Sequence, residues 1–220
     1  DVVISVNEQC LKAIAPSVDI KRAIVNNGYN ETIINEALNS GTQNRELSDV
    51  VKFVYCGTIF RDRGIDEFLT AFSEDRHKLI HFGRDQTNSK ILANHEAAEQ
   101  RGFITDKSVL AREMLNCDAG ILRLGGEETT GTTKIFDYIG CDLDIIIITD
   151  GILESGAVHD LTNGLEGIYW VKNSPRALKQ FLKTYTPTGS KRKERNAFSR
   201  RHQASILLDL ILKSQASSGA

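Results

Sequence analysis

The sequence predicts an α/β fold, a Rossmann-like parallel sheet with helices on both faces, from three observations. Strand-like apolar runs alternate with helix-like segments along most of the chain. Several runs, such as DIIIIT at 144–149, are continuous and β-branched, which is typical of strands buried on both faces. In the segments between them, apolar residues recur at helical spacing, as Ile65, Leu69 and Phe72 do. Strands that alternate with helices pack as a parallel sheet covered on both sides.

These patterns place the individual elements. The predicted strands are VVISV (2–6), RAIVN (22–26), KFVYCG (52–57), KLIHFG (78–83), AGILRL (119–124), DIIIIT (144–149) and GIYWV (167–171). The predicted helices span 65–72, 89–100, 108–117, 133–141 and 174–185, and one long helix begins at Lys191. The polar segment 36–49 lacks any periodicity and is predicted to be a linker. The chain is therefore divided into parts 1–48, 49–190 and 191–220.

Composition excludes several classes of function. A formal net charge of −2 gives no global reason to expect a nucleic-acid partner. The apolar runs fall far short of the roughly 20 residues that cross a membrane, and no leader pattern opens the chain. The four cysteines form no C-x-x-C pair and have no histidine at metal-like spacing. We therefore expect a cytoplasmic chain without a metal site or a cofactor.

The last part of the chain combines two patterns. Its beginning concentrates cations, which suit either a solvated helix face or contact with an anionic membrane or lipid-linked ligand. These cations are Lys191, Arg192, Lys193, Arg195, Arg200 and Arg201. The segment that follows, 206–212, is apolar all round, so we expect more than one of its sides to be covered. Peripheral contact with the inner membrane surface is one prediction from the basic cluster.

Glycine turns follow four of the predicted elements and indicate a ligand site. They lie in CGTIFRDRG (56–64), HFGRD (81–85), RGFITD (101–106) and GGEETTGTTKIFDYIG (125–140). Ligands of open α/β sheets bind outside the carboxyl ends of the strands. Because each turn alone is common chemistry, the prediction depends on their convergence at one edge of one sheet.

The fourth turn resembles a phosphate-binding loop without matching the Walker pattern. Gly126 and Gly131 have the Walker spacing, but Thr132 and Thr133 follow them and the lysine comes late, at Lys134. This displacement excludes a triphosphate hydrolase. Thr132 or Thr133 is a candidate N-cap, and the helix N-terminus with Lys134 favours an anion. The alternative is a capped helix that carries a surface lysine.

Five segments, taken in order, resemble the donor-binding domain of GT-B glycosyltransferases, and most closely the large retaining family numbered four. They are AIVNNGYN (23–30), VYCGTIFRDRGIDEFLTAF (54–72), HFGRD (81–85), GFITDKSVLAREMLNCDAGILRL (102–124) and TGTTKIFDYIGCDLDIIIITDG (130–151). The resemblance covers roughly residues 1–185. It implies that 1–48 is the end of an acceptor domain with its linker and that 49–190 is the donor-binding domain.

The resemblance also implies roles for single residues. Arg63 and Lys134 would neutralise the leaving diphosphate of a nucleotide sugar, and Asp137 would hold the ribose. Glu128 would contact the donor sugar, and the backbone near Phe103 and Ile104 would contact the base. The turn residues Gly57, Thr58, Gly83, Thr132 and Thr133 would line the same site.

Three positions depart from the pattern of that family, and two of the site residues have simpler interpretations. Thr58 stands where the family has a basic residue, Thr129 where it has a carboxylate, and Asp144 where it has a proline. Asp137 could instead form only a surface pair with Lys134, worth ~0.2–0.5 kcal/mol. Arg63 could be a solvated turn residue. His81, inside a strand, is expected to pack or bond locally.

The resemblance predicts a hexosyltransferase that works without a cofactor other than its donor. The acceptor would be a glycan, a lipid-linked sugar or a protein, in polysaccharide or glycan biosynthesis. The chain alone would be incomplete for catalysis, because the acceptor domain would be a missing N-terminal partner. Two alternatives stay open: a non-catalytic GT-B-like module in assembly or regulation, and a nucleotide-sugar epimerase.

Overall fold

The computed structural model describes residues 2–14, 21–40, 49–87, 89–125, 132–189 and 191–218. In these ranges, a six-stranded sheet with the order β5-β4-β3-β6-β7-β8 forms the centre of the molecule, and every neighbouring pair is parallel. A separate two-stranded parallel sheet joins β1 and β2. The predicted α/β class with a parallel sheet is confirmed.

The strands are β1 (Val2–Ser5), β2 (Lys21–Ile24), β3 (Val51–Cys56), β4 (His77–Phe82), β5 (Ala98–Gln100), β6 (Ala119–Leu124), β7 (Asp144–Thr149) and β8 (Ile168–Lys172). The helices are α1 (Glu8–Ile14), α2 (Glu31–Asn39), α3 (Asp66–Thr70), α4 (Ile91–Asn94), α5 (Lys107–Leu115), α6 (Lys134–Gly140), α7 (Gly156–Thr162), α8 (Pro175–Thr184) and α9 (Arg200–Ser218). Two 3₁₀ turns lie at Arg61–Arg63 and Arg195–Phe198.

The sheet is buried on both faces, as its β-branched runs predict. All six residues of β6 and all six of β7 are buried. Side chains alternate along a strand, so Ile145 and Ile147 join the core on one face while Ile146 and Ile148 join the core on the other. Helices α5 and α6 cover the first face, and α3 and α8 cover the second.

The strand order reverses between β3 and β6. From β3 the chain proceeds outward through β4 to β5, and it then returns to place β6 on the other side of β3. The loops that leave β3 and β6 therefore diverge and open a crevice at the carboxyl edge of the sheet, where α/β proteins bind ligands. This crevice receives the loop after Cys56 and the loop that leads into α6.

The segment before the sheet packs onto it more closely than the predicted linker implies. Helix α2 extends to Asn39 and is capped by the Asn30 side chain, which accepts hydrogen bonds from the N–H groups of Thr32 and Ile33. Ile34 and Ala37 are buried in the core beside α5. The linker prediction is wrong for 36–39, because burial of these apolar residues stabilises a helix. Residues 41–48 lie outside the described ranges, and the three-part division of the chain stays a prediction.

Two predicted helices differ from the structure. The helix predicted over 89–100 is only the single turn α4, and Ala98–Gln100 is instead an edge strand paired with β4. The helix predicted to begin at Lys191 begins at Arg200, after a 3₁₀ turn. The reason is that Arg192 anchors the preceding segment, since its backbone N–H donates to Asp142 and its guanidinium to backbone carbonyls. None of the helices in the described ranges is long and apolar enough to cross a membrane.

Candidate functional site

The first wall of the crevice is a glycine turn at the end of β3. Gly57 has a φ of +109°, which favours glycine, and a Cβ at this position would lie 2.5 Å from Cε of Lys134. Gly83, at the end of β4, has a φ of +154°, and a Cβ there would lie 2.2 Å from the Gly57 carbonyl oxygen. His81 lies with Nε2 2.8 Å from the same oxygen. The histidine therefore bonds locally, as expected, and burial lowers its pKa.

Lys134 extends from the start of α6 across this turn. Its Nζ lies 5.1 Å from the centroid of the Tyr55 ring, which is within the range of a cation–π contact. Burial lowers the pKa of Lys134, and the charge of Arg63 acts in the same direction. Among the described residues, no carboxylate forms an ion pair with Lys134. The lysine is thus a partly buried cation rather than a surface lysine.

Arg63 approaches the crevice from the 3₁₀ turn that follows β3. Its Nε lies 3.2 Å from the place where a Cβ of Gly125 would stand, so the side chain reaches the loop after β6. The only ion pair that the described residues give it is with Asp62, at 3.4 Å, and the Asp62 side chain is 72% exposed. Such an exposed pair is weak. Arg63 is 30% exposed itself, which places it against the crevice loops rather than free in solvent.

Arg123 at the end of β6 fixes the loops around these two cations. Its guanidinium is buried, donates to the carbonyl oxygens of Gly64 and Leu124, and forms an ion pair with the exposed carboxylate of Asp150. The Gly64 contact holds the residue directly after Arg63. No sequence pattern predicts this role, because a lone arginine in an apolar strand has no motif around it.

Asp137 lies on α6 one turn after Lys134. It lines a cavity of ≈ 520 Å³ between α2, α5, α6 and α9, together with Lys107 and Arg200. Burial raises the pKa of Asp137, while Lys107 and Arg200 act to lower it. No ion pair joins Asp137 to Lys134 among the described residues. The surface pair that the spacing allowed is therefore not what the structure contains.

The two threonines before α6 line cavities instead of capping the helix. Thr133 stands at the N-cap position, but its backbone is helical, with φ −71° and ψ −20°, and its side chain accepts no cap hydrogen bond. The predicted N-cap is wrong because a capping residue typically has an extended backbone, which Thr133 does not adopt. Thr133 lines both the Asp137 cavity and a second one of ≈ 220 Å³, which Thr132 also lines. Asn26 and Asn27 line both cavities as well.

The remaining predicted residues lie as follows. Thr58 is partly buried beside Gly57. Ile104 is partly buried against the core, next to a Phe103 that is 69% exposed. Glu128 and Thr129 lie outside the described residues.

Asp144 stands where the glycosyltransferase family that the sequence resembles has a proline, and its contacts show a structural role. It begins β7 at the opposite, amino edge of the sheet and is buried there. Its carboxylate accepts hydrogen bonds from the Tyr185 hydroxyl at 2.9 Å and from the Thr188 N–H at 2.9 Å and hydroxyl at 2.5 Å. This departure therefore does not reach the crevice.

The described residues contain no group of three or more histidine, cysteine, aspartate or glutamate side chains that could hold a metal ion. Asn26, Asn27 and Lys107 also line the cavities around α6, and no site motif in the sequence marks them. The pair of asparagines stands in a recognisable stretch, AIVNNGYN, but their position beside α6 depends on how that segment packs.

A glycine turn, two converging cations and a nearby carboxylate lie at the topological switch point of the sheet, where open α/β domains bind their ligands. No known family profile matches the sequence, and no curated protein does either. Solved structures do match. Sucrose-phosphate synthase from Thermosynechococcus elongatus has a TM-score of 0.67 and 16% identity, over 99% of this chain and 59% of that protein.

Two further structures resemble the whole chain. An α,α-trehalose 6-phosphate synthase from Burkholderia multivorans has a TM-score of 0.60 at 12% identity, over 100% of this chain and 61% of the synthase. Anabaena HepE, solved in complex with UDP and glucose, has a TM-score of 0.59 at 12% identity, over 99% of this chain and 63% of HepE. These neighbours are GT-B glycosyltransferases, and the chain shares their Rossmann-like fold. It spans about three fifths of their length.

Proposed function

We propose that this chain is the donor-binding part of a GT-B glycosyltransferase that transfers a sugar from a nucleoside diphosphate sugar. The observation that carries the proposal is the convergence of Lys134 and Arg63 on the crevice. The charge of Arg63 lowers the pKa of Lys134, and no carboxylate of the described residues pairs with the lysine. Two like charges held together in a partly buried site favour an anion between them. A diphosphate is such an anion.

The proposed chemistry needs no metal. When the bond between sugar and diphosphate breaks, negative charge grows on the leaving phosphate oxygens. Cations that already face this position stabilise the transition state more than the ground state. Lys134 carries one charge at the start of α6, whose backbone N–H groups add a favourable field. Arg63 carries the other charge and is held by the loop that Arg123 fixes.

Asp137 is proposed to bind the ribose. A carboxylate accepts hydrogen bonds from both hydroxyls of a ribose diol, and Asp137 stands one helical turn from the phosphate-binding lysine. The backbone near Ile104 is proposed to contact the base. Glu128 is proposed for the donor sugar by the family resemblance alone, since it lies outside the described residues.

The finer features of this function are proposals as well. They include membership of the retaining family numbered four, an acceptor domain that ends within 1–48, and a donor domain over 49–190. We also propose that the acceptor is a glycan, a lipid-linked sugar or a protein. The proposed location is the cytoplasm or the inner membrane surface. Because the chain spans about three fifths of its neighbours, we propose that it binds donor but requires further protein for transfer.

One observation favours a second candidate, a non-catalytic donor-binding module. Thr58 offers no charge directly after Gly57, so Lys134 and Arg63 act without a third cation from that turn. A site with fewer cations stabilises a diphosphate product less. Such a module would bind nucleotide but would not transfer sugar, even when its missing parts are present.

Calorimetric titration tests the proposal directly. UDP, GDP, ADP and their common sugar conjugates would be titrated into this chain, into Lys134→Ala and into Asp137→Ala. We expect saturable binding of one nucleotide that both substitutions weaken. A matched control is Lys183→Ala, because Lys183 is exposed on α8, away from the crevice. Equal binding to all four proteins, or no binding to any nucleotide by a longer chain that includes the missing part, would contradict the proposal.

A further inference from the structure

A second basic cavity lies at the opposite edge of the sheet from the crevice. Its volume is ≈ 500 Å³, and it lies between the ends of α2 and α5, the α6–β7 turn, Gly189 and the segment 191–196. Asp142 and Leu143 line it and directly precede β7, and Leu115 lines it shortly before β6. The cavity is thus at the amino edge, whereas Lys134 and Gly57 are at the carboxyl edge.

Cations dominate the lining of this amino-edge cavity. Lys191, Arg192, Lys193 and Arg195 face one carboxylate, Asp142. Arg195 pairs with that carboxylate at 3.1 Å. The two lysines are exposed at the cavity and form no ion pair with any residue that the structure describes. The cavity therefore keeps a positive charge that the carboxylates among the described residues do not fully neutralise.

Arg192 differs from the cations of a solvated surface cluster because its side chain is buried. It is only 6% exposed. Nε donates to the Glu166 carbonyl at 2.9 Å and Nη2 to the Leu143 carbonyl at 2.7 Å. These partners are neutral carbonyl groups that orient the guanidinium. Burial lowers the pKa of Arg192, while the nearby carboxylates of Asp142, Asp144 and Glu166 act to raise it. Nη1 is buried and has no hydrogen-bond partner in the described part of the chain.

A buried donor without a partner destabilises the protein, and more so when it is charged. A ligand oxygen that accepts from Nη1 would remove this cost. Phosphate suits a planar guanidinium that is flanked by lysines, because its oxygens accept several charge-assisted hydrogen bonds. Leu38, Leu115 and Leu143 also line the cavity, so its wall is apolar beside the cations.

We propose that the amino-edge cavity is a second binding site, which takes a small organic phosphate with its phosphate toward Lys191, Arg192 and Lys193 and its apolar part against the leucines. This site is separate from the proposed donor site and goes beyond the proposed function. A free small molecule is favoured over a lipid headgroup in a bilayer, because the buried guanidinium lies deeper than a flat membrane surface reaches.

Phenyl phosphate is a suitable probe, since it joins a phosphate to an apolar ring. The titration would use the Lys134→Ala chain, so that phosphate binding at the crevice does not contribute. In this background we expect one saturable site for phenyl phosphate, with weaker binding of inorganic phosphate and none of phenol. Adding Lys191→Ala and Lys193→Ala should reduce the affinity for phenyl phosphate at least tenfold.

The matched control adds Lys179→Ala and Lys183→Ala to the same background, because both lysines are exposed on α8. It removes the same charge and should leave binding unchanged. Equal losses in the two double variants would show a general charge effect and overturn the proposal. So would an absence of binding in the Lys134→Ala background. Binding to phosphatidic acid vesicles without binding of phenyl phosphate would assign the cations to a membrane surface instead.

Discussion

Asp144 at the amino edge of the sheet and Lys134 at the carboxyl edge are charged side chains held under opposite conditions. At the amino edge, Asp144 is buried, and its carboxylate accepts hydrogen bonds from Tyr185 and Thr188. At the carboxyl edge, Lys134 is partly buried with an aromatic ring as its neighbour, and Arg63 adds a like charge. A charge whose partners belong to the protein stabilises the fold. A charge without such partners costs stability and indicates a ligand.

The largest expected effect is on stability at the amino edge. Asp144→Ala leaves the hydroxyls of Tyr185 and Thr188 without their acceptor, so we expect the free energy of unfolding to fall by ~3 kcal/mol. Denaturant titration measures this loss, and nucleotide affinity below the unfolding transition should stay unchanged. Asp209→Ala, on an exposed position of α9, is the control. A loss below ~1 kcal/mol would show that the buried carboxylate is not a structural anchor.

The next effect is on binding at the carboxyl edge. Lys134→Ala removes a cation whose pKa burial already lowers, so stability should change by less than ~0.5 kcal/mol. The affinity for a nucleoside diphosphate should fall about 30-fold, which corresponds to ~2 kcal/mol. Calorimetry and denaturant titration on the same protein separate the two quantities. A large stability loss with unchanged affinity would contradict this account, because Lys134 would then stabilise the fold and not bind the diphosphate.

The pH dependence of nucleotide binding sharpens the same contrast. Burial raises the pKa of Asp137, and ribose binding needs the ionised carboxylate, so affinity should fall as the pH drops through that raised pKa. Burial lowers the pKa of Lys134, and diphosphate binding needs the protonated amine, so affinity should also fall as the pH rises through that lowered pKa. Affinity measured across pH should therefore show two limbs. Asp137→Asn should remove the acid limb alone, and an acid limb that survives this change would exclude Asp137 as its source.

The smallest expected effect is at Arg63. Arg63→Lys keeps the charge but loses the planar fork that binds two phosphate oxygens. Because the side chain is partly exposed, we expect only about a threefold loss of diphosphate affinity, or ~0.7 kcal/mol. Calorimetric titration with the nucleoside diphosphate measures this loss of affinity. Arg61→Lys, in the same 3₁₀ turn, is the control. Equal effects at both positions would make Arg63 an ordinary turn residue.

Much of the fold was predictable because local patterns decide it. The strands predicted at 119–124 and 144–149 agree with β6 and β7 residue for residue. The reason is that continuous apolar runs of this length are typical of strands buried on both faces. The short edge strand Ala98–Gln100 was mistaken for helix. Its sequence is polar, and its extended conformation depends on pairing with β4, outside the local segment.

The sequence predicts those candidate site residues that lie in loop motifs. It does not predict the residues that reach the site only through the packing of helices. Gly57 and Lys134 stand in turns that follow strands, so the shared edge of a parallel sheet brings them together. Lys107 and Arg200 join Asp137 only because α5, α6 and α9 pack around one cavity. Asp144 reads as a departure from a family pattern, and only the tertiary contacts of Tyr185 and Thr188 show its structural role.

One thermodynamic cycle tests most directly whether the unpaired cations at the carboxyl edge bind a diphosphate. The affinities of wild type and Lys134→Met would be measured for the nucleoside, the nucleoside monophosphate and the nucleoside diphosphate of the base that binds. The account predicts equal affinities for the nucleoside and a gap that opens as phosphates are added, to about 30-fold at the diphosphate. A gap that is the same for all three ligands would contradict it, because Lys134 would then support the site without contacting phosphate.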